Sequence, residues 1–203
     1  MYTINLKTLK ALAKLAPKDD VRYYLNGVNI EINGNESLYT VTNGHYLAIY
    51  HEQTQNEGAL NIIIPRDKLI SQKFTRFDTD VYALSKQGNE VYSVRDTLFK
   101  PIDGRYPNWR LVIPRPSECF PNNPGQQFNK GYLDAIVSVY AEITGNKGCE
   151  MEVRYNANRD KCALMLGNNE NFVAVIMPIR ELDKDAPSWY RDLSLKQPET
   201  KAA

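Results

Sequence analysis

Apolar and polar residues alternate over positions 2–6. Beyond them the spacing changes, and Leu9, Leu12, Ala13 and Ala16 recur at steps of three or four until Pro17 intervenes. A period of two buries one face of a strand and a period near 3.6 buries one face of a helix, so a strand followed by a helix over 7–15 is expected. Three β-rich runs come next. Residues 22–25 turn through Asn26-Gly27 into 28–32, then 38–42 and 45–51 follow, with Asn33-Gly34 and Asn43-Gly44 as hairpin turns. The phrase reads βαβββ. It returns with a strand at 62–64, Pro65 at a helix entrance, a short helix over 67–73, and strands at 81–84, 90–94 and 97–101. A third copy has a strand at 127–128, a helix over 130–143 ending near Gly145, and strands at 151–155, 161–166 and 172–178. The expected fold class is α+β, built from three βαβββ halves with helices on one face of antiparallel sheets.

With 203 residues, 42% of them hydrophobic, the chain has ample material for a buried core. Its net charge of +1 supplies no global polybasic field, so any contact with nucleic acid must come from local segregation of charge. Cys119, Cys149 and Cys162 are an odd set without Cys-x-x-Cys spacing, and there are only two histidines; this fits free thiols in a reducing cytoplasm better than a disulfide framework or a zinc site. No basic-then-apolar leader and no run of about 18 apolar residues is present, so a cytoplasmic protein that neither crosses nor binds a membrane is expected. A nucleophile elbow, a phosphate loop and a metal-binding His-Glu pattern are all missing. A non-catalytic protein without cofactor or metal is the reading that follows.

Four segments carry a more specific signal. They are Arg22-Tyr23-Tyr24-Leu25-Asn26-Gly27, Thr42-Asn43-Gly44-His45-Tyr46-Leu47-Ala48, the stretch from Asp103 to Pro114 (DGRYPNWRLVIP), and Val175-Ile176-Met177-Pro178-Ile179-Arg180. In this order and spacing they resemble the bacterial DNA polymerase III β subunit, the sliding clamp, from its middle domain to the end of its third. The resemblance implies a complete clamp-like domain at 1–113 (halves at about 1–53 and 54–113), a linker at 114–125, a lone half-domain at 126–181 and a C-terminal tail at 182–203. The first clamp domain and the front half of the third have no counterpart. A lone half-domain leaves a sheet edge and one side of its helix in need of cover. Since family rings contain twelve halves, a homo-oligomer is implied, either a tetramer or a dimer joined through two half-domains.

Lys7, Lys10, Lys14 and Lys18 step by three or four and form one basic stripe, opposite Leu9, Leu12 and Ala13. In the resembled family this helix faces duplex DNA, where lysines meet phosphates without reading sequence. The second helix adds Arg66, Lys68, Lys73 and Arg76. The family also has a cleft that receives short linear peptides from DNA polymerase, the clamp loader and repair proteins, typically a Gln followed by Leu and Phe anchors. Carried over, one wall is Leu25, Thr42, Gly44, His45, Tyr46 and Leu47, with Pro107 and Val112 from the linker. The other is Val175, Ile176, Met177, Pro178, Ile179 and Arg180, with Asn129 and Tyr132 from the third helix. Tyr46 and Leu111 stand where the family commonly carries Arg, and Glu181 where it ends in an apolar residue. Two functions follow from the resemblance. The first is a replication or repair accessory protein that holds duplex DNA non-specifically and tethers partners through the cleft. The second is a non-ring decoy or adaptor that binds the same peptides and competes with a full-length clamp.

Overall fold

The side chain of Asn5 accepts a hydrogen bond from the Thr8 N–H at 3.0 Å and so starts the first helix, α1 (Leu6–Ala13), directly after strand β1 (Tyr2–Asn5). The computed structural model describes residues 1–88, 90–122, 125–148, 150–158 and 161–179. Beyond Ala13 the N–H groups of Lys14, Leu15 and Ala16 donate to carbonyls three residues back, and the tightened turn ends the helix before Pro17. Strands β2 (Gly27–Asn33), β3 (Glu36–Thr42) and β4 (Tyr46–Gln53) complete the first half. The second half runs β5 (Ala59–Pro65), α2 (Arg66–Ile70), β6 (Val81–Gln87), β7 (Val91–Val94) and β8 (Thr97–Phe99). After a two-residue strand β9 (Cys119–Phe120) comes α3 (Lys130–Thr144), capped by Asn129 at its start and by Gly145 at φ +70° at its end. Strands β10 (Glu152–Asn156), β11 (Ala163–Leu166) and β12 (Phe172–Ile176) follow.

The two halves of the first unit exchange their leading strands. β1 pairs with β6 in a four-stranded sheet ordered β1-β6-β7-β8, whereas β5 pairs with β2 in an eight-stranded sheet ordered β5-β2-β3-β4-β12-β11-β10-β9. The third copy is welded to the first along β4 and β12, from Tyr46 opposite Ile176 to Tyr50 opposite Phe172. One edge of the lone half is therefore sealed inside the chain. Residues alternate across this sheet: Tyr46, Ala48, Tyr50, Phe172, Ala174 and Ile176 join the core under the helices, and Leu47, Ile49, Leu164 and Val175 form a second cluster on the opposite face.

Three local expectations change. Residues 23–25 form a turn of 3-10 helix rather than a strand, because the N–H groups of Leu25 and Asn26 bond back to Arg22 and Tyr23 while the Asn26 amide ties to Asp20. Residues 127–128 make one isolated bridge, Gln127 to Ile179, instead of a strand. In the first unit each leading strand enters the sister half's sheet, and the third copy has no sister in the described chain to receive its own. The second helix is shorter than expected and ends at Ile70.

Candidate peptide cleft and helix row

Leu47 on β4 lies directly opposite Val175 on β12, and both are buried on the face away from the helices. Tyr106, Trp109 and Ile113, from the segment after β8, pack over this seam. That segment is held at several points. The Trp109 indole N–H donates to Glu31 Oε1 at 2.9 Å, Arg110 pairs with Glu31 Oε2 at 2.7 Å, and the Thr42 N–H donates to the Tyr106 phenol oxygen at 3.0 Å. Burial works to raise the Glu31 pKa, but the hydrogen bonds from Arg110 and Trp109 outweigh it and hold the carboxylate below its ordinary value.

Between the seam and the segment lies a cavity of about 220 Å³ whose lining is mostly apolar. Leu25, Thr42, Gly44, His45, Tyr46, Leu47, Pro107, Val112, Val175 and Met177 all border it, so ten of the expected wall residues come together from four separate stretches of chain. Met177 stands at the mouth, 45% exposed, with its N–H bonded to the His45 carbonyl at 2.9 Å. Gly44 is at φ +90°, and a Cβ there would come within 2.8 Å of the Arg22 guanidinium. Arg22 is fixed over this turn by Asp20 at 2.8 Å and by the Asn43 carbonyl at 3.0 Å, and its hydrogen bonds lower the Asp20 pKa to about 2.

The remaining expected residues sit elsewhere. Ile176 points to the helix-side core, as period-two alternation next to Val175 requires, so it is removed from the wall. Tyr46 borders the cavity but also belongs to that core, where its hydroxyl donates to the Leu15 carbonyl at 2.6 Å; burial raises its pKa to about 12. Tyr132 does not line the cavity but buttresses it, stacked on His45 with ring centroids 5.5 Å apart and edge-on to Tyr46 at 5.3 Å. Asn129 is occupied as the cap of α3. Pro178 and Ile179 run past the cavity into the bridge with Gln127, and Arg180, Glu181, Cys149 and the tail lie outside the described residues. Sequence reasoning missed Arg22, Tyr24, Asn108, Trp109 and Cys162 as lining residues. Arg22, Tyr24, Asn108 and Trp109 stood inside the quoted segments, which was the available signal. Cys162 had none, because it reaches the cavity from the turn before β11.

The basic stripe is shorter and less free than its spacing suggests. α1 ends at Ala13, so Lys14 is its C-cap and Lys18 lies on the exposed chain beyond it. Lys7 pairs with Asp80 at 2.5 Å, the Lys10 ammonium donates to the Gln72 carbonyl at 2.5 Å, and Lys14 pairs with Glu142 of α3. Lys7 and Lys10 also stand over the Phe74 ring. Arg66 donates to the Ala16 carbonyl at 3.0 Å and Lys68 pairs with Asp67 at 3.4 Å. Lys73 and Arg76 are exposed, in the loop after α2 rather than on it. Among the described residues there is no cluster of metal-ligating side chains and no helix long and apolar enough to cross a membrane.

Paired βαβββ halves, with α1 between α2 and α3 and a strand-lined cleft at the far side of the sheet, define a clamp-type α+β fold. Residues 5–108, just over half of the chain, match the family described as DNA polymerase III beta subunit, central domain, and the chain belongs to that family. The beta sliding clamp of Escherichia coli is 31% identical over 149 residues, 69% of this chain and 38% of that protein. That of Pseudomonas aeruginosa is 28% identical over 121 residues, 57% of this chain and 33% of that protein. The chain thus spans 33% to 38% of the length of these curated relatives. Its fold matches the crystal structure of the P. aeruginosa DNA polymerase sliding clamp with ligand at TM-score 0.69 and 21% identity, over 89% of this chain and 66% of that one. The Bacillus subtilis sliding clamp gives TM-score 0.69 at 17% identity, over 89% and 64%.

Proposed function

We propose that this chain is a non-catalytic, clamp-like accessory of DNA replication or repair whose working part is the cleft, which captures a short linear peptide of a polymerase, a clamp loader or a repair protein. One observation carries the reading: the pairing of β4 with β12 joins distant segments into a preformed apolar cavity with a Met at its mouth. Apolar anchors entering such a groove supply affinity, and the adaptable thioether of Met177 tolerates more than one anchor. The exposed edges of Lys7, Lys10 and Lys14, with Lys18, Lys73 and Arg76, are the surface offered to duplex DNA.

A second reading, an adaptor or decoy that uses the cleft without holding DNA, draws on the same helix row. Of Lys7 and Lys10 on α1 and Lys14 at its C-cap, Lys7 and Lys14 are paired with carboxylates and Lys10 donates to a carbonyl. Titration of a labelled peptide with Gln, Leu and Phe anchors tests the shared claim. Met177→Ala is expected to weaken binding by roughly ten- to hundredfold, about 1–3 kcal/mol. A peptide library without a binder, or binders indifferent to Met177→Ala, overturns it. Duplex binding at low salt then separates the two readings.

A further inference from the structure

Large apolar side chains stand exposed around the cleft. Besides Met177 at the mouth, Val112 is 52% exposed and its neighbour Leu111 is 81% exposed. Their placement follows from the turn that carries them. Trp109–Leu111 is a turn of 3-10 helix in which the Leu111 N–H bonds back to the Asn108 carbonyl and the Val112 N–H to the Trp109 carbonyl, both at 3.2 Å. Trp109 is buried and Arg110 is tied to Glu31, so the next two side chains are left facing water. A single exposed hydrophobic residue is ordinary, whereas two in succession beside an apolar cavity mark a surface of use.

A second cavity, of about 470 Å³, adjoins the first. Leu111 to Arg115 border it, together with Glu118, Lys161 and Cys162. Val112 and Cys162 border the anchor cavity as well, so the two spaces meet across that pair of side chains. The shelf is apolar from Leu111 to Pro114 and basic beyond. Arg115 is exposed, and its guanidinium has no carboxylate partner among the described residues. Lys161 reaches Glu118 only at 3.7 Å, with both side chains open to solvent. Such an exposed pair contributes little, and an incoming carboxylate can replace it. Two cations thus stand against one carboxylate at the edge of an apolar shelf.

We propose that the peptide site continues past the anchor cavity onto this shelf, and that its partner is a peptide with an apolar-acidic flank. On one side of the anchors an apolar side chain covers Leu111 and Val112, and an adjacent Asp or Glu meets Arg115 and Lys161. The inference rests on the cleft reading and deepens it. The anchors supply affinity, while the flank discriminates among partners that carry similar anchors. An apolar shelf alone suits any hydrophobic surface; its shared border with the anchor cavity and its unpaired cation select a peptide flank as the occupant.

Selection of a peptide pool on the full chain tests this. The Gln, Leu and Phe anchors are held fixed and the positions on both sides are randomised. One flank is expected to return an apolar residue next to Asp or Glu, and the selected peptide to bind roughly tenfold tighter than the same anchors flanked by Gly and Ser. The readout is the ratio of these two affinities within each protein. Leu111→Ser and Arg115→Glu are each expected to cut that ratio to about threefold or less. Reselection on Arg115→Glu is expected to exchange the acidic residue for Lys or Arg, and on Leu111→Ser to keep it. Both side chains are exposed, so the urea midpoint is expected to stay at that of the parent. Flanks without a consensus, or a consensus indifferent to both variants, overturn the extension while the anchor peptide still binds. If no anchor peptide binds the parent, the cleft reading falls and the extension falls with it. A ratio that shrinks as protein concentration rises assigns the shelf to a second copy and likewise overturns the proposal.

Discussion

The seam between β4 and β12 and the outer strip of α1 were both marked by short sequence patterns, but folding treats them in opposite ways. At the seam, residues from four stretches converge on one cavity, because each belongs to a buried strand or to a segment pinned onto that strand. On α1, the lysines keep their common face but spend their charge on Asp80, Glu142 and the Gln72 carbonyl. An apolar site made from core packing is hard to lose without losing the fold. A charged strip is easily balanced by whatever carboxylate packs nearby, and exposed pairs of this kind contribute little to stability.

The contrast predicts a graded set of effects. Leu47→Ala, at the buried seam, is expected to cost about 2–5 kcal/mol in denaturant unfolding and to remove peptide binding with it. Met177→Ala, at the exposed mouth, is expected to leave stability within about 1 kcal/mol of the parent while weakening the peptide. If the two variants are equally destabilised, the mouth is part of the core and the comparison fails.

Glu31→Gln removes the Arg110 ion pair and weakens the bond from Trp109, at an expected cost of about 1–2 kcal/mol. The loss should appear mainly as weaker peptide binding, since the segment from Tyr106 to Val112 forms one side of the cleft. The sign with pH follows from the depressed folded value. The latch contributes fully above the unfolded carboxylate pKa and is lost as pH falls through the folded one. Peptide affinity of the parent is therefore expected to drop on acidification through that window, whereas the Glu31→Gln variant gives a flatter profile. Parallel profiles would mean that Glu31 does not hold the segment.

Smaller again is the effect expected at the helix row. Lys7→Glu, Lys10→Glu and Lys14→Glu combined are expected to weaken duplex binding at low salt without regard to sequence, and to reduce the salt slope by about 3 units or less. An unchanged slope would remove α1 from any DNA-facing surface and favour the adaptor reading.

Much of this architecture was legible in the chain. Hairpin turns at Asn33-Gly34 and Asn43-Gly44, alternation in β3, the apolar run of β12, and the Leu9, Leu12 and Ala13 spacing in α1 locate most elements to within a few residues. Failures cluster where local pattern and tertiary demand part. Residues 22–25 are β-rich like a strand, yet the Asn26 amide bonds to Asp20 pull them into a turn. Ile176 shares its segment with Val175 but faces the other way, and no motif reports on facing. The latch from Glu31 to Trp109 and Arg110 spans the sheet and the segment after β8, so nothing local could announce it. The same holds for Glu142, whose distance in sequence from Lys14 hid the neutralisation of the stripe.

The most direct test of the account is a crossed measurement on two variants, Met177→Ala and the triple lysine reversal, each titrated with the anchor peptide and with duplex DNA at low salt. The account predicts that Met177→Ala loses peptide affinity by roughly ten- to hundredfold and keeps its duplex affinity, while the lysine variant keeps the peptide. Peptide binding that survives Met177→Ala but falls with the lysines would place recognition on the helix row and contradict the cleft.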